Sequence, residues 1–338
     1  METSDGPMQE SSQHRVRLNA NEARSLAQSA LGRLGFDPEE SGIVADHVVD
    51  AALCGYEYSG LPKLLNLAEH HRMREPRYPI EPLHETPVSA RLDGGNTNGM
   101  LAMVRATDVA IAKASKHGFA VVGINNIWMS GRSAYFVERI ARAGLIGLHT
   151  VSARPQVAPP GAASAAIGTN PIAFGFPSEG EPLVIDLGTS AFMFTDLMFR
   201  ERRGELLPDG VAIDADGRPT RDPALARLGA VLSLGGHKGF ALGLAMTALG
   251  VAAGSGDDPD DSGYLIVAIQ PDLLVPIEDY RRELTAMIQR IKTTPRRPGV
   301  AEIRIPSERA FRERAQRLRD GIVIDRAVYD ALQALAAP

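Results

Sequence analysis

Two glycine-rich segments stand where a helix is expected to begin, and each could hold an anion. Ser130-Gly131-Arg132-Ser133 precedes a helical pattern over residues 134–143, and Gly235-Gly236-His237-Lys238-Gly239 opens another and adds a lysine. The first backbone N–H groups of a helix lack intrahelical acceptors and carry partial positive charge, so both places suit a phosphate or pyrophosphate. The plainer alternative is a turn, with Lys238 a solvated charge. No G-x-G-x-x-G follows an expected strand and no G-x-x-x-x-G-K-[ST] occurs, which removes the Rossmann fingerprint and the P-loop. The acidic run over residues 257–261 lacks the alternating ligands and terminal Glu of an EF-hand and reads as a solvated loop, so no metal site is expected.

The elements that must position these segments follow from periodicity. Ala23, Leu26, Ala27, Ala30, Leu31 and Leu34 recur at three- and four-residue spacing, predicting a helix that ends at Gly35. A second helix is expected from Pro38 to Cys54, and a third between Gly60 and Pro76. After a Pro-rich stretch the texture changes to short β-like runs alternating with helices, including a helix closed by Gly118 and a strand over residues 120–124. Residues 155–220 are rich in Gly, Pro, Ser and Thr, and residues 239–253 read as a buried helix. The alternation favours a mixed α/β core.

Composition narrows the setting. The chain has 338 residues, with 36 Lys plus Arg against 41 Asp plus Glu, a net charge of −5 that recruits no nucleic acid. One cysteine, Cys54, excludes an internal disulfide and zinc sites built on several thiols. It has no flanking histidine to activate it and reads as a packing residue. The polar N-terminus reads as a disordered leader over residues 1–18, and no apolar run is long enough to span a bilayer, so a cytoplasmic protein without membrane partners is expected.

Four ordered segments, IGTNPIAFGFP, VIDLGTSAFMFTDL, PDGVAIDADGRPTRDP and LGGHKGFALGLAM, joined by DGGNTNG at 93–99 and RIPSER near the C-terminus, make the chain resemble the malate/L-lactate dehydrogenase-like oxidoreductases. The resemblance runs from about residue 20 to 335. It implies a mixed α/β, non-Rossmann fold: a mainly helical domain from residues 19–78 with 305–338, and a central α/β cofactor-binding domain over 79–304. It also implies a homodimer with NADH or NADPH. By resemblance, Leu187, Gly188, Thr189, His237 and Lys238 are cofactor contacts, as are Ser307, Glu308, Arg309 and Arg312. The Ser130, Gly131, Arg132 and Ser133 turn joins them as an anion site.

On the substrate side the chain departs from its relatives. In the segment Glu57-Tyr58-Ser59-Gly60, followed by Lys63, Tyr58 replaces the family's serine, Ser59 its histidine acid, and Lys63 the arginine that grips a carboxylate; in H-x-G-R-x-G, Met129 replaces the second histidine, with Trp128 before it. Asp196 and Thr169 are retained. A positioned acid is worth roughly 10²–10⁴-fold in such a reduction. Either Tyr58, Lys63 or Asp196 has taken the role, or the substrate is an already protonated imine, or the chemistry has been lost. The expected activity is NAD(P)H-dependent reduction of a small oxo or imino compound, with Thr169, Lys63, Trp128 and Met129 on the substrate. A non-redox enzyme or non-catalytic dimer is the alternative. Core packing is the competing role for Trp128, Tyr58 and Met129.

Overall fold

A computed structural model of the chain describes residues 14–256 and 261–337. Of the leader expected over residues 1–18, residues 1–13 lie outside the described residues, while Arg15–Leu18 forms a strand, β1. Helix α1 (Ala20–Arg33) starts on a capping box: the Asn19 side chain accepts from the Glu22 amide, and Glu22 returns the bond to Asn19 N–H. Helix α2 (Pro38–Leu53) starts the same way on Asp37 and Glu40, with Pro38 at a position that needs no donor. A 3-10 turn over Glu57–Ser59 leads into α3 (Lys63–Glu69). The third helix is therefore shorter than its sequence span, continued only by a second 3-10 turn over His71–Arg74.

The segment from Pro76 to Glu308 is one of two compact units. The Pro-rich stretch is not all loop, because β2 (Glu81–Glu85) lies at a sheet edge, where Pro82 costs little. Strand β3 (Ser89–Asn98), helix α4 (Gly99–His117) and strand β4 (Phe119–Trp128) follow as a parallel crossover. Gly118 ends α4 at φ 84°, a left-handed cap that suits glycine. Helix α5 (Ser133–Arg142) and strand β5 (Ile146–Ser152) come next. The region expected to be loop-rich then contains β6 (Val157–Ala158), β7 (Ile172–Phe176), β8 (Leu183–Leu187), α6 (Phe194–Arg203) and β9 (Ala212–Ile213). Helix α7 (Pro223–Leu228), strand β10 (Ala230–Leu232), helix α8 (His237–Ala252), strand β11 (Gly263–Ile269) and helix α9 (Ile277–Lys292) complete the unit.

Its main sheet has seven strands in the order β2-β3-β4-β11-β5-β7-β8, antiparallel except between β3 and β4. Helix α5 lies on one face, where Gly147 meets Ile140 and Gly175 meets the Val137 carbonyl. Helix α8 lies on the other, where Gly250 meets Ser152. A smaller sheet, β6-β10-β9, sits over a core of Val157, Ile167, Leu197, Leu207, Ala226 and Val231.

Helix α8 is not buried as its apolar composition suggested. Only Gly239, Gly243, Met246 and Gly250 are buried, because a glycine face lets the helix backbone press on the sheet, while Leu244 and Val251 are 50% and 63% exposed. The chain ends form the second unit, up to Glu75 together with Arg309 onward. Helix α10 (Glu308–Asp320) enters it, followed by β12 (Ile322–Asp325) and α11 (Arg326–Ala336). β12 pairs antiparallel with β1 from Leu18↔Ile322 to Arg15↔Asp325.

Candidate active site

In the central unit, three loops from distant parts of the sequence are stitched together at the start of α8. The Thr189 hydroxyl donates to the Thr169 carbonyl at 2.9 Å, and the Leu234 amide donates to the Thr189 carbonyl at 2.9 Å. Asn170, wholly buried, accepts from the Ala153 amide at 3.0 Å and donates to the Gly243 carbonyl at 3.0 Å and the Thr247 hydroxyl at 2.9 Å. Thr169, Leu187, Gly188, Thr189, His237 and Lys238 thus gather around one helix end. A Cβ on Gly239 would stand 2.3 Å from the Leu234 carbonyl oxygen, so the turn closes only around glycine there.

This helix end suits the pyrophosphate of a nicotinamide dinucleotide. Gly235 and Gly236 have φ of 57° and 63°, and a Cβ on either would meet open space. No side chain caps the first amides of α8, and His237 and Lys238 are exposed beside them. Backbone donors, a helix N-terminus and a lysine form a donor set for a polyanion.

The turn over residues 130–133 is organised differently. Ser130, Arg132 and Ser133 are buried, and the Ala134 amide in the first turn of α5 donates at 2.8 Å to the Asp186 carboxylate. Asp186 is exposed by surface area, and local desolvation raises its pKa against the opposing pull of the Ala134 amide and Arg132. Met129 is half-buried and left-handed at φ 58°, a costly conformation for a non-glycine residue. Trp128 is 5% exposed and its indole N–H donates to the Asn96 carbonyl at 3.0 Å, so it supports the loop from the core.

Asp196 lies in the first turn of α6, half-buried, with Arg200 at 3.8 Å. Burial raises its pKa and Arg200 opposes the shift. The adjacent Leu197 is fully buried in the core that also receives Phe240 of α8. Ser307 has φ 65°, in the left-handed region that favours glycine. Glu308 is engaged within the chain, accepting from the Ile305 amide at 3.1 Å and pairing with Lys292.

In the chain-end unit, Tyr58 and Ser59 are half-buried on the 3-10 turn and Lys63 opens α3. Lys63 is 7% exposed, and burial lowers its ammonium pKa to about 8. Gly60 is held against α2, since a Cβ there would stand 2.9 Å from that of Ala52. Arg312 is exposed, and the Arg309 guanidinium lies over the Tyr56 ring at 4.9 Å. Cys54 is buried, its Sγ about 3.9 Å from an Asp50 carboxylate oxygen. Among the described residues, no group of three or more His, Cys, Asp and Glu could hold a metal ion, and no helix is long and apolar enough to cross a membrane.

Asn170 and Asp186 were not among the expected site residues. Asn170 follows Thr169 in the quoted IGTNP segment, but its clamp on α8 needs the tertiary fold; Asp186 precedes Leu187 and caps a helix 52 residues upstream.

Comparison with known proteins agrees with this arrangement. The chain is 30% identical to a malate/(S)-sulfolactate dehydrogenase of Methanothermus fervidus, over 94% of this chain and 97% of that protein. It is 34% identical to a Delta(1)-pyrroline-2-carboxylate/Delta(1)-piperideine-2-carboxylate reductase of Pseudomonas syringae pv. tomato, over 73% and 74%. The solved structure of a dehydrogenase from Sinorhizobium meliloti superimposes with a TM-score of 0.89 at 30% identity, covering 96% of this chain and 99% of that one. Residues 18–333 match the malate/L-lactate dehydrogenase family, and with the nucleotide-suited helix end in place, the chain belongs to that family of nicotinamide-dependent oxidoreductases acting on small substrates.

Proposed function

We propose that this member reduces a small oxo or imino compound, a 2-oxo acid or cyclic imine, with NADH or NADPH, using an acid other than histidine. The observation that carries the reading is the joining of the Thr169, Thr189 and Leu234 loops at the start of α8, taken with Ser59 and Met129 standing where the resemblance sets histidines. A reduced nicotinamide supplies a hydride when bound. Lys238 and the first amides of α8 hold the pyrophosphate, and Thr189 fixes the loop beside it. Lys63 either attracts a substrate carboxylate or gives a proton to the reduced heteroatom, and a pKa of about 8 suits it to release one near neutral pH. Tyr58 and Asp196 are the other donors, and Ser59 and Met129 stand where the resemblance sets the two imidazoles. Thr169 faces substrate.

A second copy of the chain covers the exposed outer face of α8, where Leu242, Leu244 and Val251 would otherwise remain in water. The reading places this homodimer in the cytoplasm.

Titration with NADH and NADPH is the first test. Saturable binding of one or both is expected, weakened roughly tenfold to a hundredfold by Lys238→Ala through loss of a charge-assisted bond. Absence of binding by either cofactor rejects the reading. A panel of 2-oxo acids and cyclic imines then assigns the substrate, and restoring histidine with Ser59→His and Met129→His is expected to raise 2-oxo acid reduction.

A further inference from the structure

The turn carrying Tyr58 and Ser59 is fastened at Glu57, yet the tyrosine itself is held by rings. Glu57 accepts from Arg15 Nη2 at 2.8 Å and from the Asp325 amide at 3.2 Å, which ties the turn to β1 and β12. The end of α2 is braced by α10: Arg314 pairs with Asp50 at 2.9 Å, and Arg317 donates to the Ala52 carbonyl at 2.9 Å. Between these anchors Tyr58 meets Tyr56 edge to face at 6.3 Å, and the Arg309 guanidinium lies 4.9 Å from the centroid of the Tyr56 ring. Gly55 makes room for that arginine, since a Cβ there would stand 2.9 Å from Arg309 Nη1. Arg309 is on the first turn of α10 and needs no ion pair to be held over the ring, because a cation is attracted to the face of an aromatic and a guanidinium also stacks on it.

We infer that Arg309 is a positioning residue for the substrate turn: its guanidinium, stacked on Tyr56, fixes the ring against which Tyr58 is set. The link to catalysis rests on the reading of Tyr58 and Lys63 as substrate-side residues. Arg309 touches no reacting atom in this role. It acts through the two rings.

Hydrogen–deuterium exchange of the full chain, read on peptides covering residues 54–63, tests the inference without any ligand. Arg309→Gln and Tyr56→Leu are expected to speed exchange there by about two- to fivefold, the size of one exposed cation–π contact. Arg309→Lys, which keeps a cation over the ring, is expected to stay near wild type, and the Gln/Leu double variant to be no worse than either single. Unchanged exchange in Arg309→Gln, equal defects in Arg309→Lys and Arg309→Gln, or additive effects in the double variant overturn it. With NADPH or NADH and Δ1-piperideine-2-carboxylate or pyruvate as probes, the Gln variant should raise KM more than it lowers kcat, without a matching loss of cofactor affinity. A loss confined to cofactor affinity makes Arg309 a cofactor contact and overturns the inference. Changed exchange with no turnover of any probe counts against the oxidoreductase reading and leaves the positioning of the turn standing.

Discussion

Asn170→Ala probes whether the loop cluster at α8 is held by one buried amide. The side chain is fully enclosed and uses its oxygen and nitrogen on three partners: the Ala153 amide, the Gly243 carbonyl and the Thr247 hydroxyl. Truncation leaves the Ala153 amide without that acceptor, while the Gly243 carbonyl keeps a bond from Thr247 at 3.0 Å. Two effective losses at about 1 kcal/mol each give roughly 2 kcal/mol. The backbone adds a second cost, because Asn170 sits at φ 35°, a region asparagine tolerates better than alanine, by about 1 kcal/mol. The expected total is roughly 2–4 kcal/mol, read as a Tm lower by several degrees, with weaker NADH or NADPH binding since Thr169 and α8 lose their common clamp. Asn170→Gly removes the same bonds without the backbone strain and is expected to be milder than alanine by about 1 kcal/mol. Thermal unfolding of the three proteins, with fluorescence titration of the cofactor, makes the comparison. An alanine variant within about 0.5 kcal/mol of wild type, or a glycine variant worse than alanine, would refute the reasoning.

Lys63→Met is expected to be more stable than wild type at pH 7. The native ammonium has a pKa near 8 against 10.5 in the unfolded chain, so the unfolded state binds more protons between these values and wild-type stability rises with pH across that window. The wild-type deficit is of order 3 kcal/mol below pH 8 and is recovered by about pH 10.5, so urea unfolding at pH 7 and pH 10 should show the gap shrinking. At Asp186, Asn keeps an acceptor for the Ala134 amide and is expected to be tolerated, whereas Ala costs about 1–2 kcal/mol. Equal thermal stability of Asp186→Asn and Asp186→Ala would show that the cap contributes nothing.

The helices of the chain ends are readable because their signals are local. Asn19 with Glu22, and Asp37 with Pro38 and Glu40, announce helix starts within four residues, and the apolar spacing from Ala23 to Leu31 names the buried face. β1 and β12 escaped because each has only four residues and neither is a strand until it meets the other, some 300 positions away. Helix α7, just past the Gly- and Pro-rich region, went unread for a similar reason: it has six residues, too few to show a period.

The sequence by itself determined the family-defining motifs, the helix frame and the glycines at the start of α8. These depend on residue identity and on spacing of a few positions. Only the tertiary structure decided that Asp186 accepts from the first turn of α5, that the Trp128 indole donates to the Asn96 carbonyl, and that α8 turns an apolar face outward. Each of these turns on which polar group or surface a distant segment brings within a few ångströms, and no local pattern records that distance.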